Sequence, residues 1–413
     1  MSLTPDQHVN WILERIGKTS ERECGTVSAF GLTVSRDVAA SRELPLWDNS
    51  AMDGYALRSD DIAGATVEHP VRLRVAGEVA AGSECDPLIT QGQTVRIMTG
   101  APVPSAADAV VPVEQVSSEQ GTGAWGNEWV EIVAPIAAGA NIRRRGEDIS
   151  AGTTLALRGQ LLTPARLASL AASGIERVWV REKPRVVVLV TGAELRAPGE
   201  PLARGQIPES NSILLVSLLA DLGIEAVAVR RNADDAVSLR AQLSDLSRES
   251  DVIITSGGIG PGTRDVTRIA LEQEPAVRAV RVAMRPGQPQ NVGRLQNGAF
   301  IFALPGNPVS AAVSFELFVR PALLALQGRT ELHRRRLAAE ATVAWRGVMG
   351  QLQVLPVSLA SRDTRLTCTP VVNPRGVSHA VGGHGATDAY ALVGPERGDV
   401  QAGETVTVIA VTP

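Results

Sequence analysis

Apolar segments between residues 185 and 327 constrain the fold of this chain more than any other feature. They read RVVVLVT, IEAVAV, DVIITS, VRAVRVAM and FIFALP, and most are apolar at successive positions rather than at alternate ones. The helical patterns NSILLVSLLADLG and DDAVSLRAQLSDLSRES lie between several of them. Strands that are apolar on both faces need cover on both faces, so the pattern predicts a mostly parallel, doubly wound α/β sheet between helical layers.

The segments on either side of this domain show other periodicities. Residues 4–18 predict an amphipathic helix, and residues 158–173 predict another that Thr163 caps. Between them, residues 66–140 alternate in short runs broken by Gly and Pro, which is typical of a β-rich module. After residue 337 a period of two returns and predicts a small all-β domain. The predicted fold class is therefore multidomain α/β plus β.

Composition and charge argue against several classes of protein. A net charge of −4 and a pI near 5.9 disfavour a nucleic-acid-binding surface. No apolar run of membrane-spanning length is visible and the N-terminal residues are polar, so we expect neither a membrane span nor a signal peptide. Cys24, Cys85 and Cys368 show no metal-ligand or disulfide spacing, and a reducing cytoplasm is the predicted location.

The loop GGIGPGTRDVT follows the apolar strand DVIITS. In an open parallel sheet, ligands bind beyond the carboxyl ends of the strands, and glycines let backbone N–H groups surround an anion there. Asp265, near the end of the loop, would then hold a divalent cation that neutralises the same anion. The alternative is a tight turn without a ligand, since the spacing matches neither the dinucleotide-binding nor the P-loop pattern.

Two further strand ends have the same character. In VTGAEL, Glu194 follows the first apolar strand. In LPGNP, a sharp turn containing Pro305 and Pro308 opens a helix that begins near Val309. Together these strand ends predict a ligand site at one edge of the sheet, although they do not identify the ligand.

Longer motifs identify a family. The chain contains LPLWDNSAMDGYALRSDD (44–61), RIMTGAPVPSAADAVVPVEQ (96–115), NIRRRGEDISAG (141–152) and LPGNPVSA (304–311), in this order. These motifs resemble those of the molybdopterin molybdenumtransferase family, MoeA, to which the gephyrin E-domain is related. The resemblance covers nearly the whole chain.

The resemblance implies a domain organisation. It places a split N-terminal domain at residues 1–43 and 142–180 and an inserted β-rich domain at residues 44–141. A central α/β molybdopterin-binding domain of the MogA/MoaB type would follow at residues 181–328, and a C-terminal β-barrel domain at residues 335–413. Two such chains would form an elongated homodimer with composite sites.

The resemblance also implies an activity. The family reaction inserts molybdate into adenylylated molybdopterin and releases AMP, with Mg²⁺ as the cofactor. The expected partners of this chain are therefore adenylylated molybdopterin, molybdate and a second copy of the chain. No nucleic-acid or membrane partner is expected.

Residue roles follow from the same resemblance, with Asp53 and Thr99 matching positions that act in the site of the partner subunit. The expected catalytic residues are Asp53, Thr99, Asp148, Glu194, Asp234 and Asp265. Asp265 and Glu194 are also the expected metal ligands. The expected substrate-binding residues are Gly257, Gly258, Gly260, Gly262, Arg281, Arg285, Gln288, Pro305, Asn307, Pro308 and Ser378.

Several of these positions also have a purely structural explanation. Asp53, Asp148 and Thr99 would make turns or caps within their own loops. Asp234 would be the N-cap of a helix at about residues 234–249. The prolines of LPGNP would act only by shaping the backbone.

The chain departs from the family pattern at the same site. Its glycine loop resembles that of the adenylyltransferases MogA and MoaB, which makes adenylyl transfer to molybdopterin one alternative activity. Arg281, Arg285 and Gln288 stand where the family has lysines, Pro356 stands in place of an arginine, and Ala193 in place of an acid. A site with fewer cations binds oxyanions less strongly, so a non-catalytic scaffold that holds molybdopterin is the second alternative.

Overall fold

The computed structural model describes residues 2–117, 128–232, 234–263, 265–362 and 364–412. Its α/β domain contains a six-stranded sheet. Counted across the sheet, the first four strands are parallel to one another, and the fifth is antiparallel to both the fourth and the sixth. Across the sheet, the order is Ala226–Asn232, Val186–Thr191, Val252–Ser256, Phe300–Leu304, Pro289–Arg294 and Val277–Arg281. The predicted mostly parallel sheet is confirmed.

The central strands of this sheet are buried on both faces. Val186 and Val188 belong to a core that includes Leu215 and Leu219 of one helix. The alternate residue Val187 belongs to a second core, on the other face of the sheet. Every position of such a strand is therefore apolar, which explains the uninterrupted runs in the sequence. The helices that follow the parallel strands are Asn211–Ala220, Ala236–Glu249, Val266–Leu271 and Pro308–Ser314.

The N-cap of the helix Ala236–Glu249 is Asp235, whose carboxylate accepts a hydrogen bond from the Ser238 N–H at 2.8 Å. The structural role expected for Asp234 is therefore wrong by one residue. Asp234 has a φ of 59° and its carboxylate instead accepts a hydrogen bond from the Ala193 N–H at 2.8 Å. It joins the loops that follow two neighbouring strands.

One helix is long and apolar enough, by length and composition alone, to span a membrane. Pro308–Leu326 has 19 residues and a mean hydropathy of 1.6, and its most apolar window is 83% buried inside the protein. It runs through Pro308–Ser314, the π-helical Phe315–Val319 and Arg320–Leu326. A buried core helix passes the same test of length and composition, and this helix lies in the core.

The N-terminal helix Pro5–Leu13 is shorter than predicted and begins with a capping box between Thr4 and Gln7. Its residues Val9 and Ile12 belong to the same core as the α/β domain, as does Ile16 beyond its end. The structure thus packs this helix with the α/β domain, whereas the predicted boundaries assign residues 1–43 to the split N-terminal domain.

The rest of the N-terminal half folds as two small β-rich units. The first has a three-stranded sheet and the helix Pro164–Ala172, which Thr163 caps as predicted. The inserted unit has a six-stranded sheet. The two chain segments that connect it to the first unit pair with each other as a two-stranded ladder. In the first unit the strands are Glu21–Gly25, Arg177–Arg181 and Thr33–Val34, with the pair Val38–Ala39 and Thr154–Ala156 beside them. In the inserted sheet the order is Ala109–Pro112, Gly54–Leu57, Gln93–Ile97, Val71–Val79, Trp129–Ile132 and Val116–Ser117, and the ladder pairs Asn49–Ser50 with Ile142–Arg143.

The C-terminal domain is a β-barrel. Its sheet closes because Leu352–Arg362 pairs with both Arg365–Pro370 and Ala389–Val393. The remaining strands, Arg336–Ala341 and Thr405–Ala410, complete the circle. A short strand of the α/β domain, Met284–Arg285, adds to the barrel sheet beside Leu352. The predicted fold class, α/β with an inserted β-rich module and a C-terminal barrel, is confirmed.

Candidate functional site

The carboxyl ends of the parallel strands lie side by side. Thr191 is opposite Asn232 in the register, and Ser256 is opposite Leu304. The loops that follow these residues carry most of the predicted site: Glu194, Asp234, the glycine loop with Asp265, and the LPGNP turn. The sheet therefore brings these segments to one edge, which we call the strand edge.

Three of the loops are in direct contact at the strand edge. Gly257 has a φ of +103°, and a Cβ atom there would lie 2.7 Å from the carbonyl oxygen of Thr191. A Cβ atom on Gly306 would lie 3.3 Å from the Cα atom of Gly257. Gly258 is equally constrained, with a φ of +65° and the Thr267 nitrogen at 3.0 Å from a Cβ position. Glycine is required at these positions because the backbone segments approach each other closely, in addition to any requirement that a ligand imposes.

Asp265 braces the glycine loop. Its two carboxylate oxygens accept hydrogen bonds from the N–H groups of Gly260 at 2.8 Å and Gly262 at 2.6 Å. These two amides are therefore directed at the protein's own carboxylate, which differs from the expectation that they surround an anion. The Gly257 N–H donates to the Leu304 carbonyl at 3.1 Å.

Glu194 lies at the same edge as Asp265 but is exposed. One of its carboxylate oxygens is 2.8 Å from the Cβ position of Gly192, so the side chain folds back over its own loop. Within the described ranges, no three or more His, Cys, Asp or Glu side chains form a metal-ligand group. A magnesium ion that is held by one or two carboxylates and by substrate phosphates needs no such group.

A polar network that the sequence did not indicate joins two of these loops. The Asn211 amide donates to the Ser256 hydroxyl at 2.8 Å and to the Gly306 carbonyl at 2.7 Å. The Ser256 hydroxyl in turn donates to the Pro305 carbonyl at 3.1 Å. Ser256 was detectable as a polar residue that ends an apolar strand, but no local signal marked Asn211.

Two buried acceptors at the strand edge have no partner among the residues that the structure describes. They are the side-chain oxygen Oδ1 of Asn211 and the hydroxyl oxygen Oγ1 of Thr191. The Thr191 hydroxyl lies 2.9 Å from the Cβ position of Gly257, at the point where the loops meet. Buried polar atoms without partners are uncommon in folded proteins, and their grouping here points to a polar ligand.

A second concave surface adjoins the strand edge. It is a cleft of about 400 Å³ between the α/β domain and the barrel, and we call it the interdomain cleft. The predicted residues that line it are Arg285, Gln288, Pro305, Asn307 and Ser378. Because Pro305 also takes part in the network at the strand edge, the LPGNP turn connects the two surfaces.

The interdomain cleft also contains residues that the sequence did not single out: Ser310, Gln351 and Arg375. A guanidinium nitrogen of Arg285 donates to the Arg375 carbonyl at 2.8 Å. A guanidinium nitrogen of Arg281 donates to the side-chain oxygen of Gln288 at 2.7 Å. Gln288 thus positions an arginine, and Arg281 lies next to the cleft rather than in its lining.

The charge of the cleft is positive. Among the residues that the structure describes, no Asp or Glu side chain lines it, while Arg285 and Arg375 both do. Neither guanidinium group has a carboxylate partner among the residues that the structure describes, in contrast to Arg144, which pairs with Asp48 at 2.6 Å. Such a surface favours small anions with more than one negative charge.

Asp53 and Thr99 form a separate pair at the end of the inserted sheet. The Asp53 carboxylate accepts hydrogen bonds from the Thr99 N–H at 2.6 Å and from the Thr99 hydroxyl at 2.8 Å. These bonds, the backbone one first, hold the pKa of Asp53 below its usual value. Both residues are exposed. Within the described part of the chain, no hydrogen bond or ion pair links either side chain to the α/β domain.

Asp148 lies in the returning connection of the inserted domain. Its N–H donates to the Leu44 carbonyl at 3.0 Å, and its side chain is exposed. The structure therefore places Asp53, Thr99 and Asp148 away from the network that unites the α/β site residues.

The expected substrate-binding residue Pro308 is the first residue of the helix that follows the LPGNP turn.

Comparison with protein families accounts for nearly the whole chain. Residues 3–174 match a family model described as "MoeA N-terminal region (domain I and II)". Residues 187–325 match "Probable molybdopterin binding domain". Residues 338–411 match "MoeA C-terminal region (domain IV)". The strand edge thus belongs to the second of these regions, and the interdomain cleft lies between the second and the third.

Curated and solved relatives agree. Molybdopterin molybdenumtransferase 2 of Mycobacterium tuberculosis is 44% identical over 332 residues, which are 79% of this chain and 80% of the relative. Molybdopterin molybdenumtransferase of Haemophilus influenzae is 34% identical over 409 residues, 98% of each chain. The crystal structure of a molybdopterin biosynthesis MoeA protein from Pyrococcus horikoshii is 29% identical and superposes with a TM-score of 0.78 over 99% of both chains.

Proposed function

Because the chain belongs to the molybdopterin molybdenumtransferase (MoeA) family, we propose that it inserts molybdate into adenylylated molybdopterin with the help of Mg²⁺ and releases AMP. The family consists of transferases of molybdenum cofactor biosynthesis. The substrate form, the metal and the released nucleotide are the parts that we propose for this chain.

The observation that carries the proposal is the pairing of two surfaces through one turn. The interdomain cleft presents Arg285 and Arg375 without a carboxylate, which suits a dianionic oxyanion such as molybdate. The strand edge presents buried oxygen acceptors that have no partner within the described residues, which suits the polar groups of a bound pterin nucleotide. Pro305 contributes to both, so two substrates at these surfaces would be neighbours.

The residues of the strand edge would hold the nucleotide rather than react with it. The Asp265 carboxylate fixes the glycine loop through Gly260 and Gly262, and this keeps the loop rigid against the LPGNP turn. Asn211 fixes the turn from the other side. A site held in this way orders the pyrophosphate link before it breaks, which lowers the entropic part of the barrier.

The carboxylates at this edge fit Mg²⁺. Asp265 and Glu194 offer only oxygen donors, and Mg²⁺ commonly uses one or two carboxylates together with substrate phosphates. When bound, Mg²⁺ would neutralise the charge that develops on the phosphate oxygens as the link breaks. Asp265 would then combine two roles, since its oxygens retain lone pairs after accepting the loop amides.

We also propose that the active form is a homodimer with composite sites and that it acts in the cytoplasm. Asp53 and Thr99 support the composite site, because they are exposed, ordered by each other and unconnected to the α/β domain of their own chain in the described residues. A partner subunit would bring this pair to a strand edge.

The test is AMP release from adenylylated molybdopterin by the purified protein, measured against molybdate concentration with and without Mg²⁺. Arg285→Ala should raise the molybdate concentration for half-maximal release about ten- to a hundredfold, because a charge-assisted hydrogen bond contributes about 1.5–3 kcal/mol. Arg362→Ala is the matched control, since Arg362 is exposed at the far end of the strand that begins at Leu352 beside the cleft.

Other outcomes would favour the alternative activities. ATP-dependent formation of adenylylated molybdopterin would favour adenylyl transfer. Tight binding of adenylylated molybdopterin without AMP release under any condition would favour a scaffold. Identical molybdate curves for the wild type and Arg285→Ala would show that the interdomain cleft does not receive the oxyanion.

A further inference from the structure

The loop that carries Arg375 is anchored at both of its sides. Its N-terminal part is a turn in which the Asn373 side chain accepts a hydrogen bond from the Arg375 N–H at 3.0 Å. Its next residues, Val377–His379, form a short 3-10 helix whose Val377 is buried in the core shared with the α/β domain. Arg375 is thus held at the interdomain cleft by packing as well as by its own turn.

The α/β domain fixes the same loop through Arg285. The guanidinium group of Arg285 donates to the main-chain carbonyl of Arg375, across 90 residues of sequence. This bond brings two arginines to one cleft, although like charges repel each other. In the described part of the chain, no acidic side chain lines the cleft to offset them.

The α/β side of the cleft contributes a single charge to its lining. Gln288 is neutral, and its side-chain oxygen already accepts a hydrogen bond from Arg281. Arg285 is therefore the only cationic lining residue from the α/β domain within the described residues, and Arg375 is the only one from the barrel. A dianion in this cleft would meet one positive charge from each domain.

We propose that Arg375 is a specificity-determining residue that, together with Arg285, selects a tetrahedral dianion over a monoanion of the same shape. The inference rests on the proposed function, because it assumes that the interdomain cleft receives the oxyanion substrate. The Coulomb attraction of one guanidinium group for a dianion is twice that for a monoanion at the same distance. Removal of Arg375 therefore costs the dianion more.

The test compares binding of molybdate, a dianion, with binding of perrhenate, a tetrahedral monoanion, to the full-length protein. Calorimetric titrations at one low ionic strength and at neutral pH give both Kd values without requiring turnover. For Arg375→Ala we expect the Kd for molybdate to rise about tenfold or more and the Kd for perrhenate to rise about threefold or less. The ratio of the two Kd values is the decisive quantity.

Two further variants separate charge from structure. Arg375→Lys retains the charge but not the planar fork, so it should restore most of the preference for molybdate. Arg362→Ala removes an exposed arginine of the same barrel and should leave both Kd values unchanged. A loop that was merely loosened would lose affinity for both anions in proportion and would not recover with lysine.

Binding of AMP tests whether Arg375 recognises a free oxyanion or a phosphate group of the nucleotide. The affinity for AMP should be the same in the wild type and in Arg375→Ala, and a parallel loss for AMP and molybdate would overturn the assignment. An unchanged ratio of the Kd values for molybdate and perrhenate in Arg375→Ala would also overturn the assignment. The proposed function would still stand in that case if the wild type released AMP in a molybdate-dependent manner. A wild-type protein that neither binds molybdate nor releases AMP would overturn both.

Discussion

At the scale of single residues, Asp265 shows how one side chain serves the loop and the expected chemistry together. Its carboxylate is bonded to two amides of the glycine loop at 2.8 and 2.6 Å. A carboxylate accepts up to about four hydrogen bonds or metal contacts, so these bonds leave room for a cation. The residue is therefore a brace by observation and a metal ligand by proposal.

The variant Asp265→Asn tests the metal role. Asparagine retains one oxygen acceptor but turns an NH₂ group towards the other loop amide, while the overall fold should stay intact because the loop is only partly buried. We expect metal-dependent AMP release to be abolished and thermal unfolding to change little. Asp245→Asn, in an exposed ion pair on a helix, is the control. Normal turnover by Asp265→Asn at low Mg²⁺ would contradict the metal role.

Gly257 allows a second prediction at this scale. Gly257→Ala would combine a φ of +103° with a Cβ atom 2.7 Å from the Thr191 carbonyl oxygen. Gly298→Ala is the matched control, since Gly298 has a φ of +111° and no atom of the described residues lies within 4 Å of its Cβ position. Both variants carry a backbone strain of about 1–3 kcal/mol, but only the first displaces the strand edge.

We therefore expect Gly257→Ala to weaken the binding of adenylylated molybdopterin at least about tenfold, which corresponds to 1.4 kcal/mol, and Gly298→Ala to leave it unchanged. Direct titration of the pterin nucleotide measures both. Equal affinities for the two variants would show that the close approach to Thr191 is irrelevant to the ligand.

At the scale of secondary-structure elements, the N-terminal helix depends on a buried histidine. His8 lies edge-on against Phe318 with ring centroids 4.6 Å apart, and its Nδ1 is 3.0 Å from a guanidinium nitrogen of Arg278. Burial first, and then the charge of Arg278, lower the pKa of His8 from 6.5 to about 3. The helix is thus docked by a histidine that must remain neutral.

This arrangement predicts a loss of helix docking in acid. Below pH 6.5 the undocked His8 binds a proton that the docked one does not, so docking weakens as the pH falls towards 3 and is unaffected above 6.5. From neutral pH to pH 5 the contribution of His8 to the loss is about 2 kcal/mol, at 1.36 kcal/mol for each pKa unit. Hydrogen exchange of the backbone amides in Pro5–Leu13, corrected for intrinsic rates, measures the free energy of opening.

His8→Gln removes the titrating group and should flatten this pH dependence, even if the packing against Phe318 is poorer. His69→Gln is the control, because His69 is exposed on the inserted domain. Parallel pH dependences for the wild type and His8→Gln would show that other groups govern the docking of the helix.

At the scale of the whole molecule, the separation of Asp53 and Thr99 from the strand edge leads to a test of the composite site. A mixture of Asp53→Ala and Asp265→Asn subunits should recover part of the AMP release that each variant lacks alone. A heterodimer of the two variants contains one site in which both defects fall together and one site in which neither is present. About a quarter of the wild-type activity is the limit for random exchange of equal amounts, since half the dimers have one intact site of two.

Subunit exchange is confirmed separately by affinity tags on the two variants. Recovery without heterodimers would show that one of the variants retains activity of its own, and it would not support a composite site. A mixture that stays inactive after exchange has been demonstrated would refute the composite site.

The sequence by itself determined the layered fold and the edge of the sheet at which the predicted site residues of the α/β domain meet. Runs such as VVVLVT and VIITS specify strands buried on both faces, because successive side chains point to opposite faces and nearly all of them are apolar. Thr163 before Pro164 specified a helix start through local hydrogen bonding. The glycine loop and LPGNP, which follow strands, indicated the strand edge, because the carboxyl ends of parallel strands share one side of a sheet.

The tertiary structure alone decided which side chains meet there. Asn211 bonds Ser256 across 45 residues and Gly306 across 95, and Arg285 bonds Arg375 across 90. It also decided that Asp235 rather than Asp234 caps a helix and that Pro5–Leu13 belongs with the α/β core. Local propensity acts over a few residues, whereas these contacts depend on the packing of whole domains and on the directions in which side chains leave the backbone.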